Sequence, residues 1–297
     1  MAFPDPVIWA IPFFLVTLAL EAWWLKRGRG RAPKWKDSAA SLSLGLGSLV
    51  AGALTAGLVL ALMKALYAHR LIDIPVTWWS FALCFVADDF GYYLFHRSAH
   101  RVRWFWASHV VHHSSERYNL ATALRQTWTG FVSLNFLFRV PLCLIGFAPE
   151  LVLFCAGLNL VYQYWIHTEA IGRMPRWFEA VMNTPSHHRV HHAVNPRYLD
   201  RNYAGVFIVW DRMLGTFEPE RSDDAPRYGI VTPLRSHNPL WAATHEWVGM
   251  ARDFRSAPLR AKLGYLWREP GWSHDGSRDT SDTIRARWRG AEEGKPQ

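Results

Sequence analysis

Asp89-Phe90-Gly91-Tyr92-Tyr93-Leu94-Phe95-His96-Arg97-Ser98-Ala99-His100, followed by His109-Val110-Val111-His112-His113, is the stretch on which the reading of this chain turns. His96 and His100 stand four residues apart. His109, His112 and His113 stand at i, i+3 and i+4, and His188, His191 and His192 repeat that pattern far downstream. Side chains at these spacings share one face of a helix, so three helices each aim two or three imidazoles towards one point. Imidazole is a ligand for Zn, Cu, Fe and Ni. With 14 histidines in 297 residues, one such cluster would be an ordinary accident. Three matched clusters predict a metal centre.

Half of the chain is hydrophobic, with 17 Trp and 17 Phe, a load that suits a membrane protein with interfacial aromatic belts. The net charge of +9 is scattered around apolar segments, which points to an anionic lipid surface and not to nucleic acid. Cys84, Cys143 and Cys155 fall in apolar runs without a CxxC, which argues against a disulfide framework, an iron–sulfur site or a zinc ribbon. Gly45-Leu46-Gly47 lacks the third glycine of a dinucleotide fingerprint, and Gly249 breaks the zinc-protease word begun by His245-Glu246. The chain therefore carries no flavin or nicotinamide motif of its own.

The expected fold is all-α: multi-pass membrane helices under a cytoplasmic, histidine-rich helical cap. Spans are expected at about 7–25, 39–63 and 76–95, with a hairpin over 129–168 and a cap over 169–220. Together they make a membrane-embedded domain of residues 1–220. Residues 221–297 read as a polar tail with an amphipathic stretch near 240–267 and a disordered end. No basic n-region precedes the first apolar run, so it reads as a retained span and not a cleaved leader. Lys26, Arg27, Arg29, Arg31, Lys34 and Lys36 put the following loop in the cytoplasm. The small face Ser48, Gly52, Ala56 predicts close helix approach. Trp104 and Trp106 read as interfacial anchors.

Several polar residues near the clusters are candidates. Asp88 and Asp89 interrupt an apolar run, and intramembrane carboxylates are functional-site candidates. Asp89, seven residues before His96, is placed to orient a ligand imidazole; a helix-packing hydrogen bond is the other reading. His167 emerges from the hairpin where the clusters gather, with Gln163 four residues earlier on the same face. Glu116, Asn119 and Arg125 lie near the second cluster as headgroup contacts, ligand-tuning groups, caps or surface pairs.

His96-x3-His100, His109-x2-His112-His113 and His188-x2-His191-His192, in this order around an apolar hairpin, resemble the membrane fatty acid hydroxylase/sterol desaturase superfamily over roughly residues 80–220. The words His112-His113-Ser114-Ser115-Glu116, Tyr118-Asn119-Leu120, Trp165-Ile166-His167-Thr168-Glu169, Asn183-Thr184-Pro185-Ser186-His187-His188 and Asn202-Tyr203-Ala204-Gly205 are similar to the alkylglycerol monooxygenase branch. The resemblance implies a non-haem di-iron oxygenase that hydroxylates a lipid C–H bond with O2 and two electrons. Its ligands would be His96, His100, His109, His112, His113, His167, His188, His191 and His192, with Asp89, Glu116 and Gln163 in supporting roles and His187 turned away. It implies cleavage of glycerol ether lipids, or hydroxylation or desaturation of a sterol or carotenoid. The animal enzymes of the branch use tetrahydrobiopterin and carry an acidic residue where this chain has Arg101. That departure favours an external electron-donor protein, met by a basic surface of Arg173, Arg176, Arg189, Arg197 and Arg201. The expected location is the cell membrane, or the endoplasmic reticulum in a eukaryote. A non-redox metal-binding membrane protein or transporter is the reading from another class. It would want polar residues at mid-depth on several spans, whereas Asp88 and Asp89 sit on one.

Overall fold

The computed structural model of the chain describes residues 3–28 and 34–293. Among them the regular structure is helical: α1 (Pro6–Lys26), α2 (Trp35–Tyr67), α3 (Trp78–Arg101), α4 (Arg103–His113), α5 (Leu120–Ala123), α6 (Val140–Ile145), α7 (Pro149–Trp165), α8 (Arg176–Val181), α9 (Pro185–His191), α10 (Val209–Met213), α11 (Pro239–Ser256), α12 (Gly264–Trp267) and α13 (Ser281–Glu293). No strand forms among the described residues, only isolated bridges such as Met182–Phe207.

Two helices, α1 and α2, are long and apolar enough to cross a membrane. The Asp5 carboxylate caps α1 by accepting from Val7 N at 2.8 Å, with Pro6 in the first turn. Leu15, Val16 and Leu20 of α1 and Leu46, Val50, Leu54 and Leu58 of α2 are exposed. An apolar surface of that extent is costly in water and suited to lipid. Glu21 is buried and ties α1 inward by accepting from Leu120 N at 2.7 Å and from the Thr168 hydroxyl. At 33 residues, α2 is about 50 Å long. One face of its first three turns is buried, through Asp37, Ala40, Ser41 and Leu44, with Leu44 packing on Val111, Ala242 and Ala243. The small-residue face behaves otherwise than expected, since nothing in the chain lies within 4 Å of a Cβ added at Gly52. The close approach is at Gly47, where a Cβ would meet Trp128 Nε1 at 2.2 Å. That indole donates to Leu44 O at 2.9 Å.

The third expected span is an unbroken helix that runs on through the first histidine pair. Thr77 and Ser80 form its capping box. One side of α3 is polar and buried, carrying Asp88, Asp89, Tyr93 and His96. Arg139 Nε donates to Asp88 Oδ1 at 2.8 Å. The expected hairpin is asymmetric. Only its second arm, α7, is a continuous helix, 17 residues or about 25 Å long. The first arm breaks into a 3-10 turn at Asn135–Arg139 and the six-residue α6, which ends at Gly146 with φ 141°.

The amphipathic stretch lies on α4, where Arg103 pairs with Glu246 at 2.6 Å and Asp253 at 2.7 Å. Residues 281–293 are helical, correcting the expected disordered end. Its polar composition hid a set of ionic contacts to the cap, described below. Trp104 and Trp106 are not free interfacial anchors. Trp104 packs on Trp247 and Trp267, and Trp106 on His100 and His113. Of the basic residues behind the topology expectation, Arg29 and Arg31 lie outside the described residues.

Candidate metal centre

α3 delivers His96 and His100, α4 delivers His109, His112 and His113, the exit of α7 delivers His167, and α9 with its C-cap delivers His188, His191 and His192. All nine come together, in two groups. One is His96, His100, His109, His113 and His191; the other is His112, His167, His188 and His192. Within each group the ligand atoms lie within 4.8 Å of one another. The division cuts across the sequence clusters. At about 100° per residue, the i+3 side chain lies about 60° to one side of the first histidine and the i+4 side chain about 40° to the other. Hence α4 sends His109 and His113 to the group of five and His112 to the group of four. α9 does the reverse, sending His188 and His192 to the four and His191 to the five. The groups are adjacent, with the His113 and His192 rings stacked at 4.3 Å.

The inward-facing atoms are Nε2. In the first group the spacings are 2.9 Å for His96–His109, 3.0 Å for His109–His113 and 3.1 Å for His113–His191. In the second they are 3.1 Å for His112–His167, 3.0 Å for His167–His188 and 3.2 Å for His188–His192. The outward Nδ1 atoms of His96, His112, His167 and His191 face the carbonyls of Tyr203 (2.7 Å), Arg125 (3.3 Å), Gln163 (2.7 Å) and Arg201 (2.9 Å). A carbonyl only accepts, so these Nδ1 atoms carry the proton and the neutral rings turn a lone pair inward at Nε2. Lone pairs so close repel unless a cation lies between them. His100 Nε2 is buried with no protein partner. At a metal–nitrogen distance of about 2.1 Å, ligands at right angles stand about 3.0 Å apart and tetrahedral ones about 3.4 Å. The observed spacings match the former. Burial holds His109, His113, His188, His191 and His192 well below the usual imidazole range and His112 down to about 4. The rings are thus neutral at pH 7, as ligation requires. The donor set fits a pair of metal ions held by nitrogen alone.

Around this core Asn119 and Glu116 take the cap and surface-pair roles that were among the readings, and Asp89 takes the packing role and not the imidazole-orienting one. Asp89 touches no imidazole. Its Oδ1 accepts from Asn159 Nδ2 and Val206 N, both at 2.8 Å, and its Oδ2 from Phe207 N at 3.0 Å and Trp210 Nε1 at 2.9 Å. With four donors on its two oxygens, Asp89 anchors the loop after Tyr203, whose carbonyl meets His96. Gly205 is required there, because a Cβ would stand 2.6 Å from Asn159 Oδ1 and 2.8 Å from Asp89 Oδ1. Gln163 acts through its carbonyl on His167, while its side chain donates to Asn159 at 2.6 Å. Arg125 is buried and offers its carbonyl to His112. Asn119 caps α5, and Glu116 lies at the surface, 3.5 Å from Lys34 and half-exposed. His187 is in neither group; its ring packs on Phe217.

Three residues of this shell went unassigned in the sequence. Asn159 is an amide in an apolar run, four residues before Gln163, a legible signal. Asp211 accepts from Tyr203 N and Ala204 N at 2.8 Å each, and burial raises its carboxyl to about 6. Asp200 Oδ1 lies 3.4 Å from His100 Nδ1. The expected basic docking surface is largely spent inside the fold. Arg189 is buried against Glu220, Arg197 faces Asp224, and Arg201 donates to Gly215 O, leaving Arg173 and Arg176 exposed.

Residues 81–216, the histidine-bearing part of the chain, match the family model described as fatty acid hydroxylase. Among individual relatives, the chain is 39% identical over 276 residues to the alkylglycerol monooxygenase of Xenopus tropicalis, and 38% over 278 residues to that of Homo sapiens. Each of these matches takes in 91% of this chain and 60% of the relative, so the chain spans about 60% of their length. An ornithine lipid hydroxylase of Rhizobium tropici is 27% identical over 146 residues, 49% of this chain and 44% of that protein. No solved structure matches the chain.

Proposed function

We propose that this protein is a membrane di-iron oxygenase that hydroxylates the ether-linked carbon of a glycerol ether lipid. Carrying this reading is the gathering of nine histidines into two all-nitrogen groups, in a chain similar to alkylglycerol monooxygenases. His96, His100, His109, His113 and His191 would hold one iron, and His112, His167, His188 and His192 the other. Iron bound there would supply O2 chemistry against an unactivated C–H bond, which a d10 zinc does not. The protein holds the rings by their Nδ1 protons, excludes water from the buried groups, and positions the lipid through the apolar surface of its helices. One oxygen atom enters the substrate and the other leaves as water with two electrons and two protons. The hydroxylated ether carbon is a hemiacetal, which collapses to an aldehyde and a glycerol lipid.

The electrons come from outside. A protein donor is favoured over tetrahydrobiopterin, because Arg101 stands where the resemblance implies an acidic residue in the pterin-using enzymes, and Arg173 and Arg176 remain exposed to meet a donor. In this reading α1 and α2 cross the membrane, with the N-terminus outside and the metal groups on the cytoplasmic side. Lys26, Arg27, Lys34 and Lys36 support that orientation.

The test is purified protein in detergent, assayed for iron and for aldehyde release from a 1-O-alkylglycerol under O2. Two irons per chain and O2-dependent aldehyde are expected. His191→Ala should lose metal, and His187→Ala should keep it. Metal binding without O2 uptake on any lipid tested would favour the non-redox reading. Full iron and activity in His191→Ala would show the site wrongly drawn.

A further inference from the structure

The five-histidine group takes most of its outward support from one short piece of chain. Asp200 Oδ1 lies 3.4 Å from His100 Nδ1, Arg201 O lies 2.9 Å from His191 Nδ1, and Tyr203 O lies 2.7 Å from His96 Nδ1. The four-histidine group takes its carbonyls elsewhere, from Arg125 and Gln163. The supporting stretch twice leaves the ordinary backbone regions. Asp200 has φ 54° and Asn202 φ 55°, both in the left-handed region, which Asp and Asn enter more readily than other non-glycine residues but which still costs more than the ordinary helical or extended backbone.

Two sets of contacts do the holding. On the inner side, the Asn202 amide donates to His187 O at 3.0 Å and Glu218 O at 2.8 Å, and Asp211 accepts from Tyr203 N. The outer side is the C-terminal helix. Arg285 of α13 donates to Leu199 O at 2.6 Å and to Asp282 Oδ1 at 2.6 Å. Asp282 takes both guanidinium arms of Arg101, at 3.0 and 2.6 Å. Arg101 in turn reaches Asp200 Oδ2 at 3.3 Å and Glu269 at 2.9 Å. Arg197, three residues before Asp200, lies over the Trp288 ring of α13 at 4.8 Å.

We propose that α13 is a latch for one metal of the two: through Asp282, Arg285 and Arg101 it positions residues 199–203, and so the imidazoles of the five-histidine group alone. These are positioning residues, since none of the three contacts an inward nitrogen. The proposal rests on the di-iron reading above. Outer partners of ligand imidazoles typically contribute 10- to 100-fold in metal affinity, and here that contribution falls on a single group.

The experiment is anaerobic Fe(II) titration of the metal-free, full-length protein in detergent against a competing chelator. The variants are Asp282→Ala with Arg285→Ala, Asp200→Asn, and Arg101→Lys as a milder lesion should the first fail to fold. Wild type is expected to bind two Fe(II). The variants should weaken one of them roughly 10-fold or more and leave the other within about two-fold. Asp282→Glu should recover most of the loss. Assignment comes from paired backgrounds. With His192→Ala, which spoils the group of four, the latch variant should weaken the remaining iron; with His191→Ala, which spoils the group of five, it should not. Equal weakening of both irons, or of neither, overturns the latch. Wild type that binds no iron overturns the metal reading itself, a distinguishable failure. Melting of the metal-free latch variants should match that of an exposed control away from α13, Arg255→Ala; a much larger fall would mean a general structural role.

Discussion

Replacing Asp89 with Asn separates the anchoring role seen in the structure from the imidazole-orienting role expected of a carboxylate near His96. The change is nearly isosteric. Asp89 is fully buried and serves four donors: Asn159 Nδ2, Val206 N, Phe207 N and Trp210 Nε1. An amide oxygen can keep the two on one side, but its NH2 then faces the two on the other. Two buried donors are left unpaired at about 1–3 kcal/mol each, or about 2–6 kcal/mol in all. For a chain of this size that is a fall in Tm of roughly 3–10 °C. The assay is thermal unfolding in detergent, run on metal-free and iron-loaded protein. The loss should appear in both, because the broken bonds join α3 to α7 or to the segment leading into α10, not to a ligand. A metal-free Tm within about 1 °C of wild type, with the loss confined to the loaded protein, would refute the anchoring argument.

Acid should destabilise the metal-free fold. Burial lowers the pKa of His109, His112, His113, His188, His191 and His192 in the folded state. Below the unfolded value of about 6.5 the unfolded chain therefore takes up more protons, so stability present above about pH 6.5 is lost as pH falls. Tm with chelator present should drop between about pH 7.5 and 5.5; a flat or rising profile contradicts the neutral-imidazole assignment. Gly47→Ala should cost about 1–3 kcal/mol, because its Cβ would meet Trp128 Nε1 at 2.2 Å. Gly52→Ala, with nothing within 4 Å, should be neutral or stabilising by up to about 1 kcal/mol, and equal Tm values for the two would discredit the packing described at α2. For topology, cysteines placed at Lys36 and Ala180 should react with an impermeant reagent from the same side of oriented vesicles; reaction from opposite sides rules out the orientation proposed.

Which imidazoles gather was legible in the sequence, because helical periodicity is a local property. His109, His112 and His113, or His188, His191 and His192, share a helix face whatever surrounds them. The apolar runs of α1 and α2 were legible for the same reason, since length and composition need no partner. How the nine divide was decided by tertiary structure. The 100° between His112 and His113 becomes a split between two groups only when α4 and α9 pack with their histidine faces opposed. The outward partners of the rings were beyond reach too, because they are backbone carbonyls of Tyr203, Arg125, Gln163 and Arg201, and every residue has one. Asp89 could be singled out as a carboxylate in an apolar run, but only the fold shows that its donors come from residues 159, 206, 207 and 210. The C-terminal helix was misread because its stabilising contacts, Asp282 with Arg101 and Arg285 with Leu199 O, join residues 181 and 86 positions apart. Local pattern sets what each segment can present; long-range packing sets what it meets.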